Sequence, residues 1–257
     1  QGSGAPLSTS GSITVNITAT NDAPVVSVPA SPLNATEQVG LNLHGTGFAV
    51  TDVDAASSTL RATLSVGEGI VTLSAGDSGI SIISGNGTGS VVFSGTLSQL
   101  NALLTGAGTG TIVYYNGSDT PSASTIVTFT VNDQGNSGVD PGLSGDGVSE
   151  EGMASQTINI TATNDDPVNS GSLPGSVTVV EDVTSNVDLS AINLQDIDAG
   201  GSSLQIYLTT STGGLLFATD SGGVAITNSG TGSITLTGSL ANLNAYLDIA
   251  SNIQYRH

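Results

Sequence analysis

The chain has 257 residues, with 21 Asp and Glu against two Arg and no Lys, a formal net charge of -19, and neither Cys nor Trp. Such an acidic balance excludes nucleic acid and an anionic membrane surface as partners, since both demand clustered Lys and Arg, and the lack of Cys excludes disulfides and zinc–thiolate centres. No apolar run approaches the ~20 residues of a membrane span, so no membrane insertion is expected, and "QGSGAPLSTSG" at the start has neither the basic nor the apolar region of a signal peptide.

In chain order, "SITVNITAT" (12–20) sets Ile13, Val15, Ile17 and Ala19 against Thr14, Asn16 and Thr18, the period of a half-buried strand. The linker "NDAP" (21–24) follows, stiffened by Pro24. A strand is predicted over 24–30 and another over 47–53, the second ending in "TDVDA". Residues two apart share a strand face, so Asp52 and Asp54 are expected to project together while Val53 turns to the core. Short strands are predicted at 59–66, 70–74, 79–83, 90–94 and 111–115, each bounded by Gly, Asn or Asp. "TLSQLNALL" (96–104) breaks this pattern. Leu97, Leu100 and Leu104 fall at helical spacing, and Thr96 with Gln99 forms a capping-box pair, which predicts a short crossover helix. "STIVTFTVND" (124–133) sets Val127, Phe129 and Val131 against Ile126, Thr128 and Thr130 and ends on Asn132 and Asp133. The acids Asp140, Asp146, Glu150 and Glu151 fall in "VDPGLSGDGVSEEG" (139–152), which reads as a solvated hairpin insertion, with a peripheral calcium loop as the alternative, although the spacing does not fit the EF-hand pattern.

The phrase "NITATNDAPV" (16–25) then returns as "NITATNDDPV" (159–168). Asp22 and Asp165 are 143 apart, Glu37 and Glu181 are 144 apart, and so are Asp52 and Asp196. "SGTLSQLNALL" (94–104) matches "TGSLANLNAYL" (237–247) at 143. A fixed offset of this kind marks tandem units. Residues 1–20 read as the terminal strand of a preceding repeat, 21–163 as a complete repeat, and 164–257 as a second repeat truncated before its last two strands. The predicted fold class is all-β, as tandem antiparallel immunoglobulin-like β-sandwiches with a short crossover helix in each unit.

Strand direction gathers oxygen ligands at one end of the complete unit, where Asn21, Asp22, Asp52, Asp54 and Asp133 are expected to converge. The second set is Asn164, Asp165, Asp166, Asp196 and Asp198. Glu37, at the lower end of its unit, is expected to reach toward this second set, and Glu181 is its counterpart. Carboxylate and amide oxygens suit Ca2+, which takes six to eight of them, and such an ion offsets the self-repulsion of a chain this acidic.

The linkers "ATNDAPV" and "ATNDDPV", the "TDVDA" and "QDIDA" pairs, "VNDQGN" and "GTLSQLNALL" together resemble the cadherin-like tandem repeats of very large bacterial adhesins exported by type I secretion. Where cadherin linkers carry a further acidic residue before the Asn-Asp pair, Thr20 and Thr163 stand here. The resemblance implies calcium at inter-domain junctions, with neighbouring repeats of the same polypeptide as partners. It also implies a non-enzymatic stalk with a role in attachment or biofilm, outside the cell or on the bacterial surface.

Two other readings are open. Tyr114, Tyr115 and Tyr207 are candidates for stacking on a surface glycan, as in a carbohydrate-binding module. An incomplete second unit together with an orphan closing strand allows head-to-tail self-association by strand donation, as in a filament subunit. "GDSGI" (76–80) and "TDSGG" (219–223) look like a serine-nucleophile motif, but the chain's two histidines, His44 and His257, offer little for a triad, and the motif falls at the repeat offset. "SGNGTGS" (84–90) has no following Lys and is not a phosphate loop. Neither motif supports an enzyme.

Overall fold

The computed structural model of the chain describes residues 3–4, 8–135, 138–139, 150–211 and 213–257, so of the four acids in the polar insertion only Glu150 and Glu151 are covered, with Asp140 and Asp146 outside the described residues. Among the described residues the chain is predominantly β, with two short helices, and it divides into two compact units, Gln1–Thr161 and Ala162–His257.

The first unit holds β1 (Val25–Ser27), β2 (Leu33–Thr36), β3 (Leu41–Asn42), β4 (Ala49–Thr51), β5 (Thr59–Val66), β6 (Ile70–Ser74), β7 (Ser81–Ser84), β8 (Ser90–Thr96), α1 (Leu97–Thr105), β9 (Thr111–Tyr115), β10 (Ser124–Asn132) and β11 (Glu151–Thr161). A six-stranded sheet runs in the order β2-β11-β10-β5-β8-β7, and a three-stranded sheet in the order β3-β9-β6. The β11–β2 pair is parallel and its neighbours are antiparallel. Period-two alternation places Leu60, Ala62 and Leu64 of β5 and Val127, Phe129 and Val131 of β10 inward, all fully buried. Val71, Leu73, Ile112 and Tyr114 of the smaller sheet face the same core. Phe48 meets Phe129 edge-on, with centroids 5.9 Å apart. Burying each large apolar side chain here contributes about 1.5–3 kcal/mol relative to exposure.

Helix α1 forms where the sequence places it. Thr96 Oγ1 accepts from the Gln99 amide, and Gln99 Oε1 accepts in return from the Thr96 amide. Gly106 ends the helix at φ 68°, a left-handed conformation that glycine adopts without steric cost. Leu100, Leu103 and Leu104 cover the core.

The second unit holds β12 (Val168–Asn169), β13 (Ser185–Asn186), β14 (Leu194–Gln195), β15 (Ser203–Thr209), β16 (Leu215–Phe217), β17 (Ala225–Thr227), β18 (Ser233–Ser239), α2 (Leu240–Leu247) and β19 (Gln254–Arg256). Its pairings repeat those of the first unit. β12 pairs with β14 as β1 does with β4, β13-β19-β16 follows β3-β9-β6, and β15-β18-β17 follows β5-β8-β7. "VTVV" (177–180), which aligns with β2, forms no strand. In the first unit β2 is held by a single strand, β11, and no described strand plays that part here. β15 likewise pairs with β18 alone, whereas β5 is flanked by β8 and β10. Its inward residues Leu204, Ile206 and Leu208 are consequently only half-buried.

Four expectations are corrected. The strand predicted over 12–20 does not form among the described residues. Only Thr20 makes a bridge, to Val139, and Ile13 and Ile17 are 90% exposed, because alternation specifies a strand only when a sheet edge lies beside it. Residues 24–30 contribute only the three-residue β1, and the strand expected over 79–83 starts at Ser81. Val53 does not face the core. β4 ends at Thr51, the Asp52 side chain takes over the following amides as a turn, and Val53 is left 85% exposed.

Candidate metal centre

The acids at the start of the first unit are gathered by local turns. Asp52 Oδ1 accepts from the amides of Asp54 and Ala55, at 3.1 and 3.0 Å, and this turn brings the two carboxylates together. Asp54 Oδ2 accepts from the Asp22 amide at 3.0 Å, so the linker is tied to the turn. Beside it, Asn21 Nδ2 donates to Asp133 Oδ2 at 2.5 Å, and Asp133 Oδ1 accepts from the amides of Gly135 and Glu150, both at 2.8 Å. Asn21, Asp133 and Glu150 are all buried, and both Glu150 carboxylate oxygens lie out of solvent.

These contacts set up an electrostatic conflict. Asp52 Oδ2 is buried and accepts no hydrogen bond. Burial pushes the Asp52 carboxyl up, and the Asp54 carboxylate beside it adds to the rise. Buried carboxylates need a cation or a proton. The sequence has two basic side chains, and Arg61, on β5 opposite Asn132, is exposed. No three of these carboxylates come within 4.8 Å of one another among the described residues, so as placed they do not converge on one point.

The second unit repeats the outer half of this arrangement. The Asp165 amide donates to Asp198 Oδ2 at 2.9 Å, and Asp196 Oδ1 accepts from the Ala199 amide at 2.8 Å. The inner half is not repeated. Asn164 is exposed, its side-chain amide donates to the Asp165 carbonyl, and no described residue of the unit stands where Asp133 holds Asn21. Asp166 is also exposed.

Glu37 lies at the opposite end of the first unit, where its amide donates to the Thr161 carbonyl at 2.9 Å and its side chain is buried. A carboxylate oxygen of Asp119 comes within 4.8 Å of one from Glu37, and Asp119 is held by Gln38 Nε2 at 2.8 Å. Glu68 accepts from Asn116 Nδ2 and the Ser122 amide at the same end, bonds that hold its carboxyl below the usual range. Glu181 occupies the equivalent turn of the second unit, with Asp182 at φ 60° matching Gln38 at 57°, but it is exposed. Asp119 was not singled out as a ligand from the sequence, and Glu150 was named only as part of an alternative peripheral calcium loop, not with Asp133. Glu150 sits at the end of a polar run whose spacing carries no ligand pattern, and only the pairing of β10 with β11 brings it to Asp133.

The other motifs are absorbed locally. Ser78 Oγ donates to the Ala75 carbonyl, Asp77 accepts from Thr109, and His44 Nδ1 meets the Ile112 backbone. Tyr114, a candidate for stacking on glycans, is fully buried in the core and cannot present its ring, which overturns that assignment, while Tyr115 and Tyr207 are exposed. No helix among the described residues is long and apolar enough to cross a membrane.

No protein-family model matches the chain, and no curated protein does. Among solved structures it is similar to the extracellular cadherin domains 1–4 of protocadherin gamma B7, at 12% identity and a TM-score of 0.30 over 87% of this chain and 42% of that one. It is also similar to the extracellular cadherin domains 1–5 of protocadherin gamma B2, at 12% identity and a TM-score of 0.29 over 84% and 32%. A third similarity is to the CsuC–CsuE chaperone–tip adhesion subunit pre-assembly complex of Acinetobacter baumannii Csu pili, at 10% identity and a TM-score of 0.28 over 84% and 92%. The chain spans less than half the length of either protocadherin structure. TM-scores of this size do not place the chain within any of these groups.

Proposed function

We propose that the chain is a non-enzymatic, calcium-binding stalk segment of a bacterial cell-surface adhesin, in which ions at the ends of the repeats stiffen the run from one repeat to the next. The observation that carries this reading is Asp52 Oδ2, buried without a hydrogen bond beside a second carboxylate. Calcium is a hard cation that takes six to eight oxygens, and it satisfies such an atom directly. Asp52 and Asp54 would hold it in the first unit, with Asn21, Asp22, Asp133 and Glu150 drawing in from their present spacing to complete the shell, and Asp165, Asp196 and Asp198, with Asn164 and Asp166, in the second. The ion supplies charge neutralisation and cross-linking of the linker to the turn, and no chemistry on a substrate. Its effect is linkage, since an ion bound by the ordered arrangement alone favours that arrangement by about 2.7 kcal/mol at ~100 times Kd. For an extracellular module the expected Kd is about 10⁻⁴–10⁻³ M.

The test is a calcium titration read by calorimetry and by melting temperature. Calcium is expected to raise the wild-type melting temperature and EGTA to lower it. Asp52→Asn with Asp54→Asn keeps the side-chain shapes, removes two charges, and is expected to abolish most of the first unit's response. A wild-type melting curve indifferent to calcium and EGTA sinks the reading. A double variant with the full response sinks the ligand assignment alone.

A further inference from the structure

Each crossover helix carries an asparagine whose side chain is bonded to a strand. In the first unit β1 and β4 form a two-stranded sheet of their own, and β4 has only three residues. On the edge of β4 that β1 leaves open, Asn101 of α1 lies against Val50. Its Oδ1 accepts from the Val50 amide at 3.0 Å, and its Nδ2 donates to the Val50 carbonyl at 2.8 Å. One primary amide thus stands in for a neighbouring strand. In the second unit Asn244 of α2 makes the same two bonds to Leu194 of β14, both at 2.9 Å. Asn is a poor residue for a helix interior because its side chain competes for backbone groups. Here the backbone groups it takes belong to a strand that has no other partner on that side.

Val50 is buried, so without Asn101 its amide and carbonyl would have no water to turn to. Directly after β4 comes the Asp52 turn, whose far side is pinned by Ala55 in the core. The linker is set by the same strand, since Val25 of β1 lies opposite Thr51 and the Asp22 amide donates to Asp54 Oδ2. In the second unit β14 leads into Asp196 in the same way, Ala199 is buried beyond the turn, and the Asp165 amide donates to Asp198 Oδ2. We infer that Asn101 and Asn244 are positioning residues for the metal ligands. By fixing β4 and β14 in place they hold the Asp52–Asp54 and Asp196–Asp198 pairs at their linkers, and they touch no ion themselves. What the carboxylates hold rests on the calcium reading above, whereas how they are held rests on the hydrogen bonds alone.

Hydrogen exchange in EGTA reads the turns without the ion. Asn101→Leu removes both bonds at similar volume and is expected to speed exchange at the Ala55 amide, which Asp52 Oδ1 holds, while the Ala199 amide stays as in wild type. Asn244→Leu is expected to do the reverse. Val71→Ala, a core truncation in β6, whose strand partner is β9, is the control for lost stability. Calorimetric titration of the full chain is expected to show calcium bound about tenfold more weakly at the first unit's site in Asn101→Leu, the low end of what groups orienting metal ligands contribute. Val71→Ala is expected to keep the wild-type affinity. Asn101→Asp keeps the acceptor for the Val50 amide and loses only the donor, so its exchange at Ala55 is expected to fall between wild type and Asn101→Leu. Exchange at Ala55 no faster in Asn101→Leu than in Val71→Ala overturns the inference, as does unchanged calcium affinity in Asn101→Leu. If Asn101→Leu does not fold, wild-type exchange at Ala55 in Asn101→Asp overturns it. A wild type that takes up no calcium sinks the metal reading instead, and exchange in EGTA then decides alone whether Asn101 holds the turn.

Discussion

Asp77 shows how a motif that looks chemical is used structurally. Its Oδ1 accepts from the Thr109 amide at 2.6 Å and from the Thr109 hydroxyl at 3.1 Å, and its own amide donates back to Thr109 Oγ1. The Thr109 amide, followed by its hydroxyl, holds the Asp77 carboxyl below the usual carboxylate range. A depressed folded value means that the stabilisation is complete above the ordinary carboxylate value and is lost as pH falls through the depressed one. Asp77→Ala is therefore expected to melt at a lower temperature than wild type at neutral pH. The gap should close in strong acid, and melting curves across a pH series read it directly. The effect is small because the group is exposed. The repeat offset already marked "DSG" as a turn, yet the partner differs between units, since Asp220 instead accepts from the Ile226 amide at 2.8 Å. Which amide a turn carboxylate meets depends on the loop across from it, and a residue pattern does not contain that loop. Val53 carries the same lesson. Period-two reasoning applies only inside a strand, and this strand ends two residues earlier, at Thr51, where the Asp52 side chain takes over the following amides.

The two crossover helices form a natural comparison of capping. In α1 both halves of the box are made, Thr96 Oγ1 to the Gln99 amide at 3.3 Å and Gln99 Oε1 to the Thr96 amide at 2.9 Å. In α2 Ser239 Oγ meets the Asn242 amide, but Asn242 is one methylene shorter than Gln99 and turns its side chain to the Gly223 carbonyl instead. Thr96→Ala is expected to cost about 1 kcal/mol. Gln99→Ala should lower the urea midpoint of the first unit by more than Asn242→Ala lowers that of the second, because only Gln99 returns a bond to its cap. Both midpoints are read by circular dichroism. The helix was legible because its cap, its apolar spacing and its closing Gly106 all lie within eleven residues. Strands β5, β6, β9 and β10 were legible because alternation persists over five residues or more. β2 and β3 were not, since runs of four and two residues show no period and exist through distant partners, β11 and β9. The outer ligand pairs of the candidate centre were legible from the i, i+2 spacing of Asp52 and Asp54, whereas Glu150 was not, because a strand pairing delivers it.

Across the whole molecule, a single repeat yields two units of unequal closure. The fixed offset anticipated that the same pairings would recur, and they do for β12 to β19. What separates the units is how far each sheet shields its core. In the first, β5 lies between two strands and Leu60, Ala62 and Leu64 are fully buried. In the second, β15 has one partner and the aligned leucines and isoleucine stay half-buried, while 177–180 form no strand at all. Apolar area left in water forfeits about 25 cal/mol per Å², and a strand bonded on one side offers half its amides to solvent. Local stability follows both quantities. Hydrogen exchange should therefore protect the amides of β5 and β10 most strongly. In β15, amides bonded to β18 should be protected and those on the open edge should exchange freely. Chemical denaturation should resolve into two transitions, the earlier one belonging to residues 162–257. A single transition, or equal protection of β5 and of both edges of β15, would mean that closure of the sheet does not set the stability of the second unit.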